Sequence, residues 1–399
     1  MVAPRSSDPP GGVGGTDHLH APTPDGRLYW SEDRYQQELD QLFFRSWLNL
    51  GPEELLQGTG RFLSQEIGPE SVVVVRGTDG ALHGFYNVCR HRGSRLTDAR
   101  AGDWGRSIIC PYHAWTYGLD GRLLAARDTE TLADFPRDEF GLHPVRTETL
   151  AGFVWANLDP AAAPLRASFG AFFDRYDPRL FRGLRQGARQ SYTVEANWKL
   201  LVENFSECYH CAPVHPELNR ITPYRSGGND AWFRSGADRS EFAGGWMELA
   251  EDYTSMVRSG HTRRPALPGH APRDLRRISY YVLFPNLFVS LHPDYLMVHR
   301  AWPIGPTRSR VENEFYFAAD AVGAPDFDPG DAVGLWDEIN RQDWRVCELA
   351  QLGSRSHVWH GGRYSAAESM IYDFDAYLEE RLGASGTRPE TRKTVYDSK

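Results

Sequence analysis

The sequence predicts an α+β protein, in which a small all-β domain is followed by a larger domain of helices packed on an antiparallel sheet. Three observations favour this class. Between about residues 60 and 160, short segments of alternating apolar and polar residues are separated by Gly, Asp or Pro turns, as is typical of strands. Beyond about residue 185, strand-like segments such as "RISYYVLFPNLFVSLHP" are mixed with helical ones such as "DAVGLWDEINRQDWRVCELAQ". The 399 residues also exceed what one hydrophobic core usually organises.

The N-terminal region divides into an arm and a helix. Residues 1–28 are rich in Pro, Gly, Ser and Asp, and we expect a flexible arm because they bury too little apolar surface to offset the entropy of ordering. After Ser31, a good N-cap residue, Tyr35 and Leu39 recur at helical spacing, which predicts a helix over residues 29–48 that packs on the second domain. The remaining divisions are a β domain over residues 49–165, an α+β domain over residues 166–385 and a polar tail over residues 386–399.

Charge and composition exclude several classes of partner. The formal net charge is −9 and no basic run occurs, so neither nucleic acid nor an anionic membrane surface is expected as a partner. The β-branched run "SVVVVRG" is far too short to span a bilayer, and the N-terminus carries no apolar leader, so a cytoplasmic protein is expected. Five clustered cysteines do not make a disulfide framework in a chain of this length, and they favour metal or redox chemistry.

The first candidate metal centre lies in the β domain. Cys89 and His91 form a C-x-H pair, and after eighteen intervening residues Cys110 and His113 form a C-x2-H pair. Two thiolates on one iron and two imidazoles on the other describe a Rieske [2Fe-2S] cluster, which relays single electrons. A structural zinc site is the alternative, but C-x-H is too tight for the usual zinc-finger pair and no ββα pattern surrounds it.

The second candidate centre begins on a predicted helix. Asn197 is a good N-cap, and Glu203, Glu207 and His210 are spaced i, i+4 and i+7, so they are expected to share one face of a continuous helix. Pro213 is expected to end that helix, because its ring clashes with the preceding turn. Taken alone, such a face is also typical of a solvated polar stripe.

Asp343 favours a metal site over that alternative. It occupies a position in an otherwise apolar helical stripe, where an unpaired carboxylate would be costly. His215, on the turn beyond the first helix, is expected to converge with His210 and Asp343. Two His and one carboxylate on one face of an ion form the facial triad of non-haem Fe(II) sites, which keep positions open for O2 and substrate. The stripe consists of Trp336, Ile339, Val346 and Ala350.

Three further cysteines lie near this centre. Cys208 and Cys211 form a C-x2-C pair, and as ligands they would close the site around zinc. Cys208 falls on the apolar stripe of its predicted helix and Cys211 lies next to the helix end, so buried, inert thiols are the favoured interpretation. Cys347, one turn from Asp343, is expected in the core.

From about Tyr29 to Gly383 the chain resembles the large (α) subunit of the Rieske non-haem iron oxygenases. The resemblance rests on "CRHRG...CPYHAWTY", "NWKLLVENFSECYHCAPVHPEL" and "NRQDWRVCELAQLG", which occur in the family's order and spacing. It implies a Rieske domain ahead of a helix-grip catalytic domain, usually in a homotrimer. Cys89 and Cys110 would bind one cluster iron, and His91 and His113 the other. The mononuclear iron ligands would be His210, His215 and Asp343.

The resemblance also implies a role for Glu207. In the family, an electron passes from the cluster of one subunit to the iron of its neighbour through a carboxylate at this position, hydrogen-bonded to a cluster histidine across the interface. Many members carry Asp there. Glu207 within "ENFSECYHC" resembles the branch that includes glycine betaine and carnitine monooxygenases, which disfavours ring dihydroxylation.

The resemblance implies a terminal oxygenase that uses O2 to hydroxylate an N-methyl carbon of a small, betaine-like quaternary ammonium compound, which then loses formaldehyde. The chain has no G-x-G-x-x-G loop, so its electrons are expected from a separate ferredoxin or flavin reductase, and NAD(P)H acts only through that partner. Two alternatives remain open: hydroxylation or O-demethylation of an aromatic or alicyclic acid, and an electron-transfer Rieske protein without oxygenase activity. Asp343 argues against the second, because an electron carrier has no need of it.

A quaternary ammonium group binds well against aromatic faces through cation–π contacts. Aromatic side chains in the Gly-rich region and on the following strands are therefore candidates for the substrate pocket, although packing in a core is the favoured interpretation of each. They are Trp232, Phe233, Trp246, Tyr281, Phe288 and Tyr295.

Overall fold

The computed structural model describes residues 16–129, 132, 134–234 and 239–383. Its N-terminal β domain contains two antiparallel sheets, of which the larger has the strand order β1-β10-β9-β4-β3-β2-β5 and the smaller the order β6-β7-β8. The strands are β1 (Leu48–Pro52), β2 (Arg61–Ile67), β3 (Glu70–Arg76), β4 (Leu82–Tyr86), β5 (Ala101–Asp103), β6 (Ser107–Ile109), β7 (Thr116–Gly118), β8 (Leu123–Ala125), β9 (Pro144–Leu150) and β10 (Phe153–Asn157).

Two loops of this domain carry the cysteine–histidine pairs. The first follows β4, where the Gly93 amide donates to the Cys89 carbonyl and closes a tight turn; φ at Gly93 is +70°, a conformation that glycine adopts without strain. The second connects β6 to β7, where the amide of Ala114 donates to the carbonyl of Cys110. Each pair is thus held by its own turn.

The second domain is built on one antiparallel sheet with the strand order β11-β17-β16-β15-β14-β13-β12. The predicted α+β class is therefore confirmed, with every described ladder of this sheet antiparallel. The strands are β11 (Leu184–Val194), β12 (Gly228–Ala231), β13 (Phe242–Glu248), β14 (Arg277–Leu283), β15 (Leu287–Leu291), β16 (Leu296–Gly305) and β17 (Arg308–Ala318).

The helices lie before, between and after these strands. Their bounds are α1 (Glu32–Gln41), α2 (Leu165–Phe173), α3 (Trp198–Phe205), α4 (Cys211–Val214), α5 (Pro216–Ile221), α6 (Ala319–Val322), α7 (Gly330–Gly353) and α8 (Ser369–Arg381). In the described part of the chain, no helix combines the length and the apolar character that crossing a bilayer requires.

Both faces of the sheet of the second domain are buried. Successive residues of a strand point to opposite faces. On β16, Val298 packs in the apolar cluster that contains Phe169 of α2, whereas Met297 packs in the cluster that contains Ile339 of α7. We call the second side the α7 face. Since α3 also contacts α7, this face is where the two candidate ligand segments meet the sheet.

The N-terminal segment differs from its prediction. Ser31 caps α1 as expected, accepting from the amide of Arg34, but the helix ends at Gln41 and residues 43–45 form a 3-10 turn before β1. Glu38 of α1 pairs with the buried Lys199 of α3, so the helix packs on the second domain.

The predicted flexible arm over residues 1–28 is wrong for residues 16–28. Two short 3-10 helices form there, and the amide of Thr23 donates to the carbonyl of Gly362. The ordering has a physical reason, because hydrogen bonds to the 362–363 segment satisfy backbone groups that the sequence pattern leaves unpaired. Residues 1–15 and the predicted polar tail over residues 386–399 lie outside the described residues.

Candidate metal centres

The first centre brings together the four residues predicted in the β domain. The Cys89 and Cys110 side chains are buried, at 3% and 2% exposure, and the imidazole rings of His91 and His113 lie 4.7 Å apart. Nδ1 of His113 is buried and has no hydrogen-bond partner among the described residues. A buried ring nitrogen without a partner, beside two buried thiols, fits the donor set of a [2Fe-2S] cluster.

The thiol side of this centre contains a residue that the sequence analysis missed. The Tyr117 hydroxyl lies 3.1 Å from Sγ of Cys89 and accepts the amide of Arg90. Burial raises the pKa of the Cys89 thiol, and the Tyr117 hydroxyl opposes that rise. A hydroxyl donating to a ligating sulfur raises a cluster's reduction potential. The signal was present in "CPYHAWTY", two residues after Trp115, but spacing alone does not reveal the contact.

The second centre brings His210, His215 and Asp343 together. One ligand atom from each lies within 4.8 Å of the others. Nε2 of His215 is 2.8 Å from Oδ1 of Asp343, and Nε2 of His210 is 3.2 Å from the same oxygen. The three side chains converge from two directions, since the histidines flank α4 and Asp343 lies on α7. Two imidazoles and one carboxylate on one side of a common point fit an open Fe(II) site.

Strong pairing shifts the pKa values of these groups. Burial alone would raise the pKa of the Asp343 carboxyl, but hydrogen bonds from His210 and His215 outweigh burial and lower it to about 2. Burial disfavours the charged form of His210, yet its hydrogen bonds to Asp343 and Glu207 raise its pKa to about 10. In the metal-free protein, a proton on His210 thus occupies the place that a cation would take.

Both histidines are oriented by second partners. Nδ1 of His210 lies 2.5 Å from Oε1 of Glu207, and Nδ1 of His215 lies 2.6 Å from Oε1 of Gln342. With each Nδ1–H donated in this way, the Nε2 lone pair is directed to the metal position. Sequence analysis missed Gln342, although it directly precedes Asp343. It also missed Asn204, whose Nδ2 is 3.4 Å from Nε2 of His210.

The predicted continuous helix from Asn197 to Pro213 is wrong. Asn197 caps α3 as predicted, but the helix ends at Phe205, and Pro213 lies inside α4. The cause is local: the Glu207 carboxylate accepts the amides of Tyr209 and His210, which offers the backbone an alternative to helical hydrogen bonds. Glu203 consequently does not share a face with Glu207, and it accepts instead from the hydroxyl of Tyr29.

The C-x2-C pair also differs from its prediction. Cys208 and Cys211 form a disulfide, with a Cα–Cα distance of 4.9 Å, so they are neither free thiols nor metal ligands. This Cα–Cα distance lies within the range usual for disulfides. Cys347 is buried, in the position predicted for it, and its Sγ lies 3.5 Å from the carbonyl of Leu200.

Most of the aromatic side chains predicted to line a pocket lie elsewhere. Tyr281 and Trp246 point to the side opposite the α7 face, where Tyr281 lies against Phe172 of α2 and the Arg277 guanidinium covers Trp246 at 3.6 Å. Successive side chains of a strand point to opposite faces of the sheet, so the pairing register decides which face each side chain occupies. The sequence pattern does not fix that register.

Two more of these side chains are core residues, and one is near the metal ligands. Phe233 stacks on Tyr377 of α8, and Tyr295 is fully buried with its hydroxyl donated to the carbonyl of Met256. Trp232 is partly buried. Phe288 alone of the predicted set stacks on Phe205, next to the turn that carries Glu207.

The chain matches two family models in succession. Residues 46–136 match the Rieske [2Fe-2S] domain, and residues 181–384 match the catalytic domain of the ring hydroxylating alpha subunit. Between them, the two matched segments include every cysteine and histidine discussed above, together with Asp343.

One curated relative matches most of the chain, and another matches about half of it. The glycine betaine monooxygenase oxygenase subunit of Pseudomonas aeruginosa is 31% identical over 381 residues, which cover 89% of this chain and 88% of that protein. The carnitine monooxygenase oxygenase subunit of Escherichia coli is 40% identical over 193 residues, which cover 48% of this chain and 51% of that protein.

Solved structures share the fold. A quaternary ammonium Rieske monooxygenase in complex with gamma-butyrobetaine aligns with a TM-score of 0.74 at 24% identity, covering 92% of this chain and 98% of the other. Naphthalene 1,2-dioxygenase from Rhodococcus aligns with a TM-score of 0.70 at 19% identity, covering 90% and 94%.

Proposed function

The chain belongs to the family of Rieske-type ring-hydroxylating oxygenase α subunits, and from that premise we propose that it is a terminal oxygenase that removes an N-methyl group from a small, betaine-like quaternary ammonium compound. The observation that carries the proposal is the convergence of His210, His215 and Asp343 beside Glu207. The substrate class is supported by the relatives, whose names give glycine betaine and carnitine as their substrates.

The metal groups of this family fit the residues present. Cys89, Cys110, His91 and His113 would hold the [2Fe-2S] cluster, and the facial triad would hold the mononuclear iron. When bound, the cluster supplies single electrons and the iron activates O2. Glu207 and Gln342 would keep the Nε2 atoms of their histidines turned towards the metal.

The reaction balances with electrons from a partner. One oxygen atom of O2 enters a C–H bond of an N-methyl group, and the other leaves as water with two electrons and two protons. The resulting carbinolamine breaks its C–N bond, releases formaldehyde and a proton, and leaves the tertiary amine. Oxygenase α subunits of this family work with a reductase or ferredoxin component, which would supply the electrons.

We further propose a homotrimer in which Glu207 connects the two metal groups of neighbouring subunits. Tyr112, next to the cluster residue His113, is 58% exposed, and Tyr209, between Glu207 and His210, is 57% exposed. Large aromatic side chains left open beside both centres are suited to an interface. Glu207 is within hydrogen-bond distance of His210, and its carboxylate would meet His113 of the adjoining subunit.

The test is substrate-dependent O2 uptake by the protein with cluster and iron bound and a surrogate reductase. Glycine betaine, carnitine, choline and aromatic acids are compared, and formaldehyde is quantified. Formaldehyde equal to the O2 consumed with a quaternary amine is the expected result. Uptake with aromatic or alicyclic acids alone would keep the oxygenase and refute the N-demethylase.

A further inference from the structure

A cluster of buried polar side chains lies between the sheet and α7. His299 of β16, Asn313 of β17 and Asn340 of α7 are each at most 2% exposed. Nε2 of His299 is 3.1 Å from Oδ1 of Asn340, but three polar atoms have no partner among the described residues: His299 Nδ1 and both side-chain polar atoms of Asn313. Buried polar atoms are nearly always paired, so this concentration indicates a bound polar group.

The cluster adjoins the iron ligands. Asn340 and Asp343 are spaced i and i+3 on α7, so they share a face and differ by about 4.5 Å along the helix axis. The ring of His299 lies 6.1 Å from that of Phe205, which immediately follows Asn204, the residue in contact with Nε2 of His210. Two separate elements thus connect the cluster to the metal site.

An aromatic wall borders the cluster on the side towards the ligand turn. Phe288, directly opposite His299 on the neighbouring strand, stacks on Phe205 at 4.9 Å, and Tyr280 lies 6.4 Å from Phe205. Phe205 and Tyr280 are partly exposed, whereas His299 is buried. The partly exposed aromatic side chains therefore lie at the outer end of the cluster, and the buried polar ones lie at its inner end.

We propose that His299, Asn313 and Asn340 receive the carboxylate of a zwitterionic substrate, while Phe205, Tyr280 and Phe288 contact its quaternary ammonium end. This proposal rests on the proposed function and names the residues that select the substrate. As placed, Nε2–H of the neutral His299 ring donates to Oδ1 of Asn340. Turning the Asn340 amide by 180° brings Nδ2 to Nε2 and places the ring proton on Nδ1, so that His299 Nδ1 and Asn313 Nδ2 both donate to a carboxylate, which has about four acceptor sites.

The charge state of the cluster favours a zwitterion over a simple acid. Burial lowers the pKa of His299 to about 4, so the imidazole is neutral at pH 7. A neutral pocket gives hydrogen bonds but no counter-charge to a carboxylate, and an unpaired buried charge is costly. A betaine brings its own cation, which the aromatic faces accept. Asn340 and Asp343 are separated by about 4.5 Å along the helix axis, and this short distance suits a compact zwitterion.

The test measures binding, without turnover, to the protein with cluster and iron bound under anaerobic conditions. Titration calorimetry compares glycine betaine with tetramethylammonium, which lacks the carboxylate. His299→Phe and Asn340→Leu are expected to weaken glycine betaine binding roughly tenfold or more, because they remove hydrogen bonds to a charged group, and to leave tetramethylammonium within about twofold. Asn313→Asp is expected to weaken glycine betaine while retaining tetramethylammonium.

His292→Phe is the matched control, since the His292 ring is likewise buried and without a hydrogen-bond partner among the described residues, but it stacks on Tyr295 in a different part of the core. It is expected to leave the ratio of the two affinities unchanged. Cluster absorbance and the melting temperature verify folding, and His299→Gln, which retains a donor, replaces His299→Phe if the latter does not fold. Equal losses for both ligands, or no loss for either, would overturn the assignment.

Failure of the proposed function has a different signature. If the wild-type protein binds neither quaternary ligand but binds benzoate, the N-demethylase proposal fails. The same variants are then titrated with benzoate. A loss of benzoate affinity that is confined to His299→Phe and Asn340→Leu retains the carboxylate site. The absence of such a loss overturns the assignment of that site.

Discussion

At the β-domain centre, both ligand pairs lie on loops of one small domain, eighteen residues apart, whereas the second centre joins His215 to an aspartate 128 residues further along the chain. The histidines of the first centre are not paired with carboxylates: Nδ1 of His113 has no partner within the described residues, and His91 lies at the surface. The histidines of the second are each bonded to Asp343 and to a second acceptor.

This difference separates two ways of building a metal site. At the first, the turns position the ligands and the cluster itself supplies the remaining cohesion, so metal binding and local order are coupled. At the second, hydrogen bonds among the protein groups hold the ligands in place before any ion binds. The first centre should therefore lose order without its metal, and the second should not.

Replacing one metal ligand at each centre is expected to have the largest effect on turnover and metal content. Asp343→Ala is expected to abolish turnover and mononuclear iron binding while retaining the visible absorbance of the cluster, because the two donor sets do not share residues. Cys110→Ser is expected to lose the cluster. Absorbance spectra, iron analysis and formaldehyde assays measure all three quantities.

Glu338→Ala is the control for Asp343→Ala, since it removes an exposed carboxylate on the same helix that pairs only with Arg258 among the described residues. It should retain turnover. Loss of cluster absorbance in Asp343→Ala would show that the two centres are not separate.

Replacing Glu207 tests the connection between the centres. Glu207→Gln keeps a hydrogen-bond acceptor for His210 but removes the charge, so both metals should remain bound while turnover falls about 10- to 100-fold, the range typical of partners of metal ligands. Stopped-flow oxidation of the reduced cluster locates the defect in electron transfer. Turnover at the wild-type rate would refute the bridging role.

The two centres also differ in how far the sequence could predict them. The first was predictable because C-x-H and C-x2-H place each pair on one turn, and Asp343 was predictable because a carboxylate interrupts an apolar helical stripe. The end of α3 at Phe205 was not, since it depends on the Glu207 side chain competing for backbone amides. The Cys208–Cys211 disulfide was not, since a C-x2-C spacing is the same for bonded thiols, free thiols and metal ligands. Tyr280 and Tyr281 point to opposite faces, so only the strand register decides which one borders the site.

Gln342 tests how much the preformed hydrogen bonds contribute. Gln342→Leu removes the acceptor of His215 Nδ1 and frees the ring to rotate or change tautomer, so Fe(II) affinity should fall about tenfold. Gln342→Glu retains an acceptor and serves as the matched control. Fe(II) titration of the cluster-loaded, iron-free protein measures the affinity, and an unchanged affinity in Gln342→Leu would mean that Asp343 alone fixes the ring.

A pH titration requires no mutation and distinguishes the two centres by the protons that their ligands carry. The pKa of His210 is raised to about 10 by its carboxylate partners, so at pH 8 the metal-free protein carries a proton that Fe(II) must displace. Fe(II) affinity should therefore rise with pH by up to tenfold per unit until about pH 10, with about one proton released per ion, measured by calorimetry in buffers of different ionisation enthalpy. Burial lowers the pKa of His91, aided by His113 and Arg92, so this cluster histidine is neutral at the same pH and has no proton to release. Protons released at the cluster site come instead from its cysteine thiols, and burial raises the pKa of the Cys89 thiol. If Fe(II) bound at pH 8 without releasing a proton, His210 would already be neutral, and the carboxylates would orient its ring without holding a charge on it.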